Sequence, residues 1–369
     1  MKILCILPYA LNLVPGQRYR VEQWLPYLRD VGINSEMLPL LTPEEQQLLY
    51  SPVSPIKKMK IVGVSLVRAL CHLPRPGQYD AIWLSRTALV AGPPVVERLL
   101  VRTGIPLIYD FDDAIWIPDT MEVNRCWGFL KCPGKTARLC QMASVVIAGN
   151  EWLSDYARAY NRNVWVVPST VDTERYRPRN LIPREGPVII GWSGSPSTIR
   201  HLRIISGALR RVAAAASIEL RVMGGDFRLS GVPVSLRRWS PETEVEELQG
   251  FEIGIMPLPD EPWSYGKCGM KALLYMSVGV PVVASPIGVN STLIQDGKNG
   301  FLAAKEDEWV EKLLALVRDP ELRRSMGQVG RATVEAGYSL QVQAPRVLSI
   351  LKTVARSATN VSKSQSVNF

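Results

Sequence analysis

Residues 266–285 read GKCGMKALLYMSVGVPVVAS, and this stretch decides how the second half of the chain folds. It predicts a loop, an amphipathic helix, a turn and a buried strand, in that order. The segment Gly279-Val-Pro281 ends the helix, because glycine and proline terminate helices. Val282 to Ser285 then has the apolar, β-branched composition of a central strand in a parallel sheet. A helix that leads directly into such a strand predicts an α/β fold.

The start of this predicted helix has the features of an anion-binding site. Gly266 and Gly269 leave backbone N–H groups uncovered where the helix dipole is positive. Lys267 and Lys271 are four residues apart, so they lie on one helical face and add two positive charges. This arrangement suits a ligand that carries phosphate. A solvated helix start, whose lysines serve only solubility, fits the same spacing, and the spacing alone leaves both interpretations open.

The chain is long enough for two domains. Its 369 residues exceed the size, roughly 250 to 300 residues, at which a single hydrophobic core stops growing. Apolar residues make up 47% of the chain, which is enough for two cores. No apolar run approaches the roughly 20 residues that span a bilayer, so we expect no transmembrane helix. Met1 to Leu7 is too short for the core of a signal peptide, and we interpret it as a first buried strand.

Cysteine and histidine usage argues against several classes of site. The six cysteines are scattered without CxxC spacing, which indicates free thiols in a reducing compartment. The two histidines, His72 and His201, are too few for a histidine-based metal site or a Ser-His-Asp hydrolase. Any catalysis must therefore use carboxylates, cations and backbone groups.

The net charge of +9 points to an anionic partner. Nucleic acid, an acidic membrane face and a phosphorylated substrate all fit this charge. Nucleic acid is the weakest of the three, because aromatic residues are not interleaved with the basic ones as they are in RNA- and DNA-binding modules. We therefore expect no nucleic-acid partner.

Strand and helix signals alternate along the N-terminal half, which predicts a parallel sheet with helices on both faces. The predicted strands are Ile3–Leu7, Ala81–Leu84, Leu107–Tyr109, Val145–Ala148 and Trp165–Val167. The predicted helices are Tyr19–Val31, which ends at Gly32, and Pro93–Arg102.

After Pro178 the sequence becomes polar, proline-rich and non-periodic, and we interpret residues 179–187 as a linker between domains. The alternation then restarts, which predicts a second doubly wound domain. Its first predicted elements are the strands Val188–Ile190, Glu219–Met223 and Glu252–Met256 and the helices Ile199–Ala214 and Thr243–Leu248. We expect domains at residues 1–178 and 179–339, a helix at 340–355 that packs back on the first domain, and a disordered tail at 356–369.

Loops that follow strands are the candidate site, because two such domains place the carboxyl ends of their sheets opposite each other across a cleft. Ile190 to Thr198 is a strand that leads into a turn of small residues, with Ser197 or Thr198 as a candidate N-cap. Its amides and hydroxyls can cradle phosphate, with charge from Arg200 and the two lysines. An ordinary connection between a strand and a helix fits the same residues.

Several motifs together resemble one enzyme family. In the second half these are Gly191-Trp-Ser-Gly194, Phe251 to Leu258, Gly266 to Lys271 and Tyr275 to Gly288. In the first half they are Gly16 to Arg20, Asp110 to Asp113, Ile147 to Asn150 and Val166 to Asp172. In this order and spacing the chain resembles the family-4, or group 1, glycosyltransferases of the GT-B fold over nearly its whole length. The resemblance is strongest to a branch with a lysine-rich version of residues 266–271.

The resemblance implies an α/β GT-B fold, with two doubly wound Rossmann-like domains that face a central cleft. It implies transfer of a sugar from a nucleotide-sugar donor with retention of anomeric configuration, without a metal or other cofactor. The C-terminal domain would hold the nucleotide, and its cations would stabilise the diphosphate as the bond to the anomeric carbon breaks. The donor-binding residues that the resemblance implies are Gly16, Arg18, Trp192, Ser193, Gly194, Ser195, Arg200, Lys267, Cys268, Gly269 and Lys271.

The chain also departs from the family pattern. Typical members carry two glutamates eight residues apart, and alignment on residues 279–281 places Gly266 and Leu274 at these positions. The second glutamate commonly grips the ribose of the nucleotide, so Leu274 removes that contact. A first-domain histidine that often contacts the donor sugar has no counterpart here, and residues 110–113 occupy its neighbourhood.

Polar residues after two strands of the first domain are candidates for acceptor chemistry. Asp112 and Asp113 are the predicted catalytic residues, because their carboxylates can orient sugar hydroxyls or assist removal of a proton. A solvated loop or a helix cap is the alternative for this pair. Arg86 is predicted to bind an acidic acceptor. Trp116 is predicted to stack on a sugar face, although core packing fits it equally well.

Residues 54–68 combine basic and apolar side chains, which suits contact with an anionic membrane and a lipid-linked acceptor. An internal helix with a lysine-rich edge is the alternative. We predict a retaining glycosyltransferase that builds surface polysaccharide or glycolipid at the cytoplasmic face of the cell membrane. A sugar-nucleotide epimerase and a non-catalytic binding protein with a degenerate donor site are the alternative functions.

Overall fold

Two six-stranded sheets, whose described strand pairs are parallel, form the frame of the computed structural model. The structure describes residues 1–117, 132, 134–178 and 186–365. The chain divides into two units, which are Met1–Ser169 together with Gln343–Phe369, and Thr170–Val342. We call them the N-terminal unit and the C-terminal unit.

The N-terminal unit contains the first sheet. Its strands are β1 (Lys2–Leu7), β2 (Asn34–Pro39), β3 (Ala81–Ser85), β4 (Leu107–Phe111), β5 (Val145–Ala148) and β6 (Val164–Val166). Its helices are α1 (Pro15–Arg20), α2 (Leu25–Asp30), α3 (Pro43–Leu49), α4 (Pro55–Cys71), α5 (Val95–Arg102), α6 (Lys135–Met142) and α7 (Glu151–Arg158), together with most of α15 (Leu340–Gln365).

The strand order of this sheet is β2-β1-β3-β4-β5-β6. Ile3 of β1 pairs with Ser35 of β2 on one side and with Ala81 of β3 on the other. The chain therefore changes direction across the sheet between β1 and β3, which is a topological switch point of the kind where ligands bind in open α/β sheets. Leu107 and Ile108 of β4 are at most 1% exposed, as expected for a strand covered by helices on both faces.

The C-terminal unit contains the second sheet. Its strands are β7 (Val188–Ser193), β8 (Ile218–Met223), β9 (Val234–Arg237), β10 (Ile253–Met256), β11 (Val282–Ala284) and β12 (Phe301–Leu302). Its helices are α8 (Ser206–Ala215), α9 (Glu244–Gln249), α10 (Pro262–Tyr265), α11 (Met270–Ser277), α12 (Asn290–Leu293), α13 (Glu306–Arg318) and α14 (Pro320–Gly337).

The second sheet has the order β12-β11-β10-β7-β8-β9. Counted from β7 this is the 3-2-1-4-5-6 order typical of dinucleotide-binding folds, with its switch point between β7 and β10. The core around β7 buries large side chains from the sheet and from α13, among them Trp192 and Trp309. These contacts fix the positions from which the loops at the carboxyl ends of β7, β8 and β10 leave the sheet.

Two predicted helices are interrupted in the structure. The prediction of one helix over Tyr19–Val31 is wrong, because α1 ends at Arg20, Val21 leaves the helical region at φ −129°, and a 3-10 turn precedes α2. Pro26, in the first turn of α2, lacks the N–H that a continuous helix would need there. The predicted helix Ile199–Ala214 begins as a 3-10 helix over Ile199–Ile205 before α8, since its β-branched residues lower α-helical propensity.

The unit boundary and the C-terminus also differ from the sequence prediction. The boundary lies between Ser169 and Thr170 rather than at residue 178. The segment from Gln343 onward belongs to the N-terminal unit, and it includes most of the helix that was expected to pack back on the first domain. The predicted linker falls largely on residues 179–185, which lie outside the described residues. The predicted disordered tail is helical through Gln365, because neither glycine nor proline interrupts residues 356–365.

Three strands of the two sheets, β2, β9 and β12, were not predicted from the sequence, and all three are edge strands. β12 has only two residues, Phe301 and Leu302. β2 and β9 each pair with only one neighbour in the described sheets, and half-exposed polar residues occupy part of each strand. They therefore lack the continuous apolar run that identifies a central parallel strand. Within the described residues, no helix is both long enough and apolar enough to cross a membrane.

Candidate functional site

The N-terminus of α11 has the backbone geometry of an anion site. Gly269 precedes the helix in the left-handed region, at φ +68°, and supplies no side-chain cap. A Cβ atom at this position would lie 2.9 Å from Cγ1 of Val289, so both conformation and space favour glycine here. The N–H groups of the first helical turn have no partner inside the helix and lie at its positive end. This end of α11 therefore offers hydrogen-bond donors and positive potential to an anion.

Two lysines beside this helix start lie against tryptophan rings. Nζ of Lys267 is 3.2 Å from the centroid of the Trp263 ring. Nζ of Lys271 is 5.4 Å from the centroid of the Trp192 ring, and Trp192 is only 1% exposed. Contact with an aromatic face holds an ammonium group in place by cation–π attraction. The two predicted cations are thus positioned by the fold rather than extended freely into solvent.

Gly194 brings the exit of β7 to the same place. A Cβ atom on Gly194 would lie 2.5 Å from Cη2 of Trp192 and 2.9 Å from Cε of Lys271. Gly224, which follows β8 at φ +90°, lies equally close, since a Cβ atom there would be 2.2 Å from the Gly194 carbonyl oxygen. Backbone therefore forms the surface at the carboxyl ends of β7 and β8, where a ligand can approach closely. The structure brings together Trp192, Gly194 and Lys271, three of the residues that the resemblance implied for donor binding.

A cavity of about 440 Å³ adjoins this glycine surface. It is lined by Gly224, Gly225, Leu236, Arg237, Arg238 and Trp239. Gly224 and Gly225 follow β8, Leu236 and Arg237 end β9, and Arg238 and Trp239 follow it. None of these residues was predicted as a site residue from the sequence. Two features of the sequence could have indicated the cavity, namely the pair of glycines after a predicted strand and the run Arg237-Arg-Trp239. Because β9 was not predicted, the position of this run in the sheet could not be assigned.

A buried carboxylate holds the tryptophan of this cavity. Nε1 of Trp239 donates to Oε1 of Glu244 at 2.9 Å, and the hydroxyl of Tyr176 donates to Oε2 of the same carboxylate at 2.6 Å. Glu244 is 2% exposed, and its bond with Tyr176 is buried while its bond with Trp239 is partly buried. The ring of Trp239 is therefore fixed at the wall of the cavity.

The other residues predicted at this site differ in what they offer a ligand. The Ser193 N–H donates to the hydroxyl of Tyr275 at 2.8 Å, so this group bonds within the core of the unit and not to a ligand. The Ser195 hydroxyl lies 2.8 Å from that of Ser197 on the exposed loop. Thr198 makes no side-chain cap to the 3-10 helix, contrary to the N-cap prediction, and donates to the Ser195 carbonyl instead.

Arg200 and Cys268 remain accessible in the structure. Arg200 is exposed on the 3-10 helix that follows the serine loop. The Cys268 thiol is half-buried and lies 3.8 Å from the Gly266 carbonyl oxygen. Leu274 is 5% exposed within α11, so it offers no polar group to a ribose and belongs to the core of the unit.

In the N-terminal unit, Arg86 joins the two predicted catalytic carboxylates. Its Nη2 donates to Oδ2 of Asp113 at 2.8 Å, and its Nε lies 3.3 Å from Oδ1 of Asp112. Burial alone lowers the pKa of the Arg86 guanidinium, but the two carboxylates outweigh burial and raise it above its ordinary value. Two carboxylates share one guanidinium, so this cluster has a formal charge of −1 when ionised.

The backbone of Arg86 is also unusual. It lies at φ +60°, a left-handed conformation that non-glycine residues rarely adopt. Its N–H donates to the carbonyl oxygen of Asp110 at 2.7 Å, which ties the exit of β3 to the end of β4. The guanidinium predicted to bind an acidic acceptor is therefore held by Asp112 and Asp113 instead.

Beneath this cluster lies a buried ion pair. Arg20 donates to Oδ1 of Asp110 from both Nε, at 3.1 Å, and Nη2, at 2.6 Å, and the side chains are 4% and 1% exposed. Trp83 donates its indole N–H to the other carboxylate oxygen at 3.3 Å. Burial raises the pKa of Asp110, and Arg20 opposes this shift. The pair fixes the end of α1 to β4.

Gly16 and Arg18, predicted near the donor, both lie on α1. A Cβ atom on Gly16 would lie 2.6 Å from Oδ2 of Asp112, so glycine allows this carboxylate to rest against the helix. Arg18 is only 6% exposed, and its guanidinium lies 5.1 Å from the ring centroid of Tyr19. The structure thus joins Gly16 to the acidic cluster and places Arg18 in the interior.

Trp116 packs among aromatic side chains. Its ring is stacked on Tyr156, with centroids 3.6 Å apart and planes within 6°, and it also stacks on Trp152 at 5.3 Å. Phe111 meets it edge-on at 6.1 Å. Because a neighbouring ring covers at least one face, these contacts favour the packing interpretation of Trp116 over sugar stacking. Among the described residues, no group of three or more His, Cys, Asp or Glu side chains is arranged to hold a metal ion.

Most of the C-terminal unit matches a known protein family in sequence. Residues 187–319 match the family described as Glycosyl transferases group 1. This segment contains β7, the cavity residues and α11. The chain carries a group 1 glycosyltransferase domain. The family that the motifs resembled is thereby confirmed.

Two sequence relatives of the chain differ in how much of it they cover. D-inositol 3-phosphate glycosyltransferase of Stackebrandtia nassauensis is 24% identical to it over 346 aligned residues, which cover 79% of this chain and 74% of that protein. Trehalose synthase of Pyrococcus horikoshii is 31% identical over 86 residues, which cover 23% of this chain and only 21% of that protein.

A solved structure shares the fold of the glycosyltransferase. HepE of Anabaena, in complex with UDP-glucose, superposes with a TM-score of 0.65 at 15% identity, covering 99% of this chain and 100% of that chain. The two parallel sheets and this match confirm the predicted α/β GT-B fold class.

Proposed function

We propose that this glycosyltransferase moves a sugar from a nucleotide-sugar donor to a glycan or lipid-linked acceptor, with retention of anomeric configuration. One observation carries the proposal, namely the N-terminus of α11. There Gly269 opens the helix in a left-handed conformation, and Lys271 lies over Trp192 beside Gly194. Helix N–H groups, a helix dipole and a positioned cation together suit the diphosphate of such a donor.

The cavity beside Gly224 is suited to bind the nucleoside part of the donor, next to the diphosphate. Its volume of about 440 Å³ lies within the roughly 300 to 1,000 Å³ typical of small-molecule pockets. The fixed ring of Trp239 offers an apolar surface, and Arg237 and Arg238 offer hydrogen-bond donors. Contacts from this wall would replace the ribose contact that Leu274 lacks. UDP-glucose bound to the structurally similar HepE is consistent with this class of ligand.

Departure of the nucleotide is the step that the C-terminal unit would assist. The bond between the anomeric carbon and the diphosphate oxygen breaks, its electron pair stays on the diphosphate, and the acceptor oxygen bonds to the anomeric carbon. Lys267, Lys271 and the start of α11 stabilise the charge that grows on the leaving group. We propose that these groups suffice without a metal ion. Activity should then be unchanged in EDTA, and its loss on chelation would contradict this part.

The N-terminal unit would serve the acceptor. The cluster of Arg86 with Asp112 and Asp113 carries a formal charge of −1, which suits hydrogen bonds from sugar hydroxyls and uptake of a hydroxyl proton. Arg86 in this proposal orients the two carboxylates rather than binding an acidic acceptor. Retention rests on the resemblance in motif order, and the anomeric configuration of the product, read by NMR, tests it directly.

We further propose that the acceptor belongs to surface polysaccharide or glycolipid synthesis at the inner face of the cell membrane. The basic charge of the chain and the composition of residues 54–68 support this location. The partners are then a nucleotide-sugar, a glycan or lipid-linked acceptor and an anionic membrane surface, with no nucleic acid.

A panel of nucleotide-sugars tests the proposed reaction. The full chain is incubated with UDP-, GDP-, ADP- and dTDP-sugars, and the melting temperature, donor hydrolysis and donor epimerisation are measured. We expect one nucleotide series to raise the melting temperature and its sugar donor to be hydrolysed slowly without an acceptor. Lys271→Ala should remove this stabilisation. Lys298→Ala is the matched control, because Lys298 is an exposed lysine in the loop before β12.

Each alternative function has its own outcome in this panel. Stabilisation by nucleotides without hydrolysis or transfer to any acceptor would favour a non-catalytic binding protein. A new sugar isomer on the nucleotide would favour an epimerase. If no nucleotide or nucleotide-sugar shifts the melting temperature, the proposed donor site is wrong.

A further inference from the structure

Helix α4 of the N-terminal unit has an apolar face that points away from the protein. Its inner face is formed by Lys58, Ile61, Ser65 and Ala69, which are buried at helical spacing. The residues of the opposite face include four large apolar side chains with high exposure. These are Ile56 (79%), Met59 (62%), Val67 (58%) and Leu70 (40%). We call these four residues and the two lysines beside them, Lys57 and Lys60, the outer α4 face.

This pattern reverses what a surface helix normally shows. An amphipathic helix on a globular protein turns its apolar stripe to the core and its polar residues to water. The outer α4 face instead exposes apolar side chains along most of a helix of 17 residues. Scattered exposed apolar residues need no explanation, but four large ones on one face of a single helix mark an interaction surface.

The charge around the stripe restricts the kind of partner. Residues 46–79 contain no aspartate or glutamate, whereas they contain three lysines and two arginines. Arg68 is held by Glu45 at 2.9 Å and Lys58 is buried, which leaves Lys57 and Lys60 exposed on the helix. A surface that combines apolar side chains with exposed lysines is complementary to an anionic lipid bilayer.

We propose that the outer α4 face docks on an anionic lipid bilayer, with α4 lying in the plane of the interface. Ile56, Met59, Val67 and Leu70 would insert among the lipid headgroups, and the two lysines would contact lipid phosphates. This inference deepens the proposed function and rests on it for its purpose, because a lipid-linked acceptor lies at such a surface. Binding itself requires neither donor nor acceptor.

The same charges argue against a second copy of this chain as the occupant. A two-fold symmetric contact through the outer α4 face would place the lysines of both copies in one interface, to which residues 46–79 contribute no acidic partner. Like charges in such a contact are repulsive. An anionic bilayer supplies an apolar interior for the four apolar side chains and negative charge for the two lysines.

Vesicle co-sedimentation of the full chain tests the proposal. We expect binding to phosphatidylcholine vesicles that contain phosphatidylglycerol, weak binding to phosphatidylcholine alone, and a decrease with added salt. The double variants Ile56→Ser/Val67→Ser and Lys57→Glu/Lys60→Glu should each weaken partitioning by about tenfold or more. Circular dichroism and the melting temperature verify that both variants fold.

A matched control uses exposed valines elsewhere. Val329→Ser/Val342→Ser changes two side chains that are each 47% exposed, and it should leave vesicle binding unchanged. Equal binding of wild type to neutral and anionic vesicles would overturn the proposal, and so would full binding by both α4 variants. Self-association in sedimentation velocity that both α4 variants abolish, without vesicle binding, would assign the face to a second copy instead.

Donor binding and membrane binding are tested by separate measurements. Nucleotide stabilisation is measured on the same protein without vesicles, so loss of membrane binding leaves it unchanged. If the protein binds nucleotide-sugar but no anionic vesicle, this result would contradict only the proposed membrane docking of the outer α4 face. Inorganic phosphate at matched ionic strength should not displace the protein from vesicles, and displacement would indicate a site for free phosphate rather than a lipid surface.

Discussion

Cationic side chains near the carboxyl ends of the two sheets are held in different ways. In the N-terminal unit, carboxylates hold the cations, with Arg20 paired to Asp110 and Arg86 shared by Asp112 and Asp113. In the C-terminal unit, Lys267 and Lys271 lie over tryptophan rings. A ring positions a cation by cation–π attraction, whereas a carboxylate positions it by an ion pair. The same position in two related sheets therefore suits hydroxyl groups in one unit and a diphosphate in the other, and side chains rather than topology decide this.

Breaking the buried ion pair should have the largest effect. Asp110→Asn leaves the Arg20 guanidinium, 4% exposed, without its counter-charge. We expect a loss of about 3 to 5 kcal/mol in the free energy of unfolding of the N-terminal unit. Urea unfolding with circular dichroism measures it. Asp155→Asn, at an exposed pair in the same unit, should cost less than about 1 kcal/mol, and equal losses in the two variants would contradict the structural role of Asp110.

A backbone contact in the C-terminal unit should give the next largest effect. Gly224→Ala places a Cβ atom 2.2 Å from the Gly194 carbonyl oxygen at φ +90°. Neither the backbone oxygen nor the left-handed conformation can change without a large energetic cost. We therefore expect the free energy of unfolding to fall by about 3 kcal/mol. A unit of this size should then melt about 6 to 12 °C lower in calorimetry. A melting temperature unchanged within error would show that the two glycine loops are not packed as described.

Removing a positioned lysine should affect donor binding rather than stability. Lys271→Ala removes one charge beside the start of α11, and we expect donor affinity to fall by about 10- to 100-fold, the equivalent of about 1.4 to 2.7 kcal/mol. Isothermal titration calorimetry with the stabilising nucleotide measures this. The stability of the free protein should change little. A large loss of stability with unchanged affinity would give Lys271 the structural role that we assign to Arg20.

The smallest expected effect tests the acidic cluster. Gly16→Ala brings a Cβ atom to 2.6 Å from a carboxylate oxygen of Asp112, which is the mobile end of a side chain. We expect a loss of less than about 1 kcal/mol in stability, because the carboxylate can move. Transfer to an acceptor should fall more than donor hydrolysis, since the displaced group serves the acceptor. Equal losses in the two rates would place Gly16 with the donor instead.

Much of the fold follows from periodicity. The stretch 266–285 folds as the sequence predicts, with a helix from Met270, a turn at Gly279 and the buried strand β11. The alternation of strands and helices, its restart in the second half and the family all follow from local patterns and their order. Central strands are predictable because burial on both faces forces an apolar, β-branched run.

What the sequence did not predict depends on tertiary contacts. β2 and β9 are polar because they are edge strands, and without β9 the run of Arg237, Arg238 and Trp239 could not be placed beside Gly224. The pairing of Arg86 with two carboxylates joins residues 26 and 27 positions apart, and spacing along the chain does not reveal such a contact. Trp116 has an ordinary aromatic context in the sequence, and only the structure shows Tyr156 on its face.

The half-buried thiol of Cys268, between the two lysines, allows the most direct test of the donor site. Alkylation by iodoacetamide is followed by mass spectrometry with and without a saturating nucleotide-sugar, and the exposed Cys71 of the N-terminal unit is the internal control. If the donor binds at the start of α11, alkylation of Cys268 slows severalfold or more while that of Cys71 is unchanged. Unchanged alkylation of Cys268 under a nucleotide that raises the melting temperature would place the donor elsewhere and contradict the account.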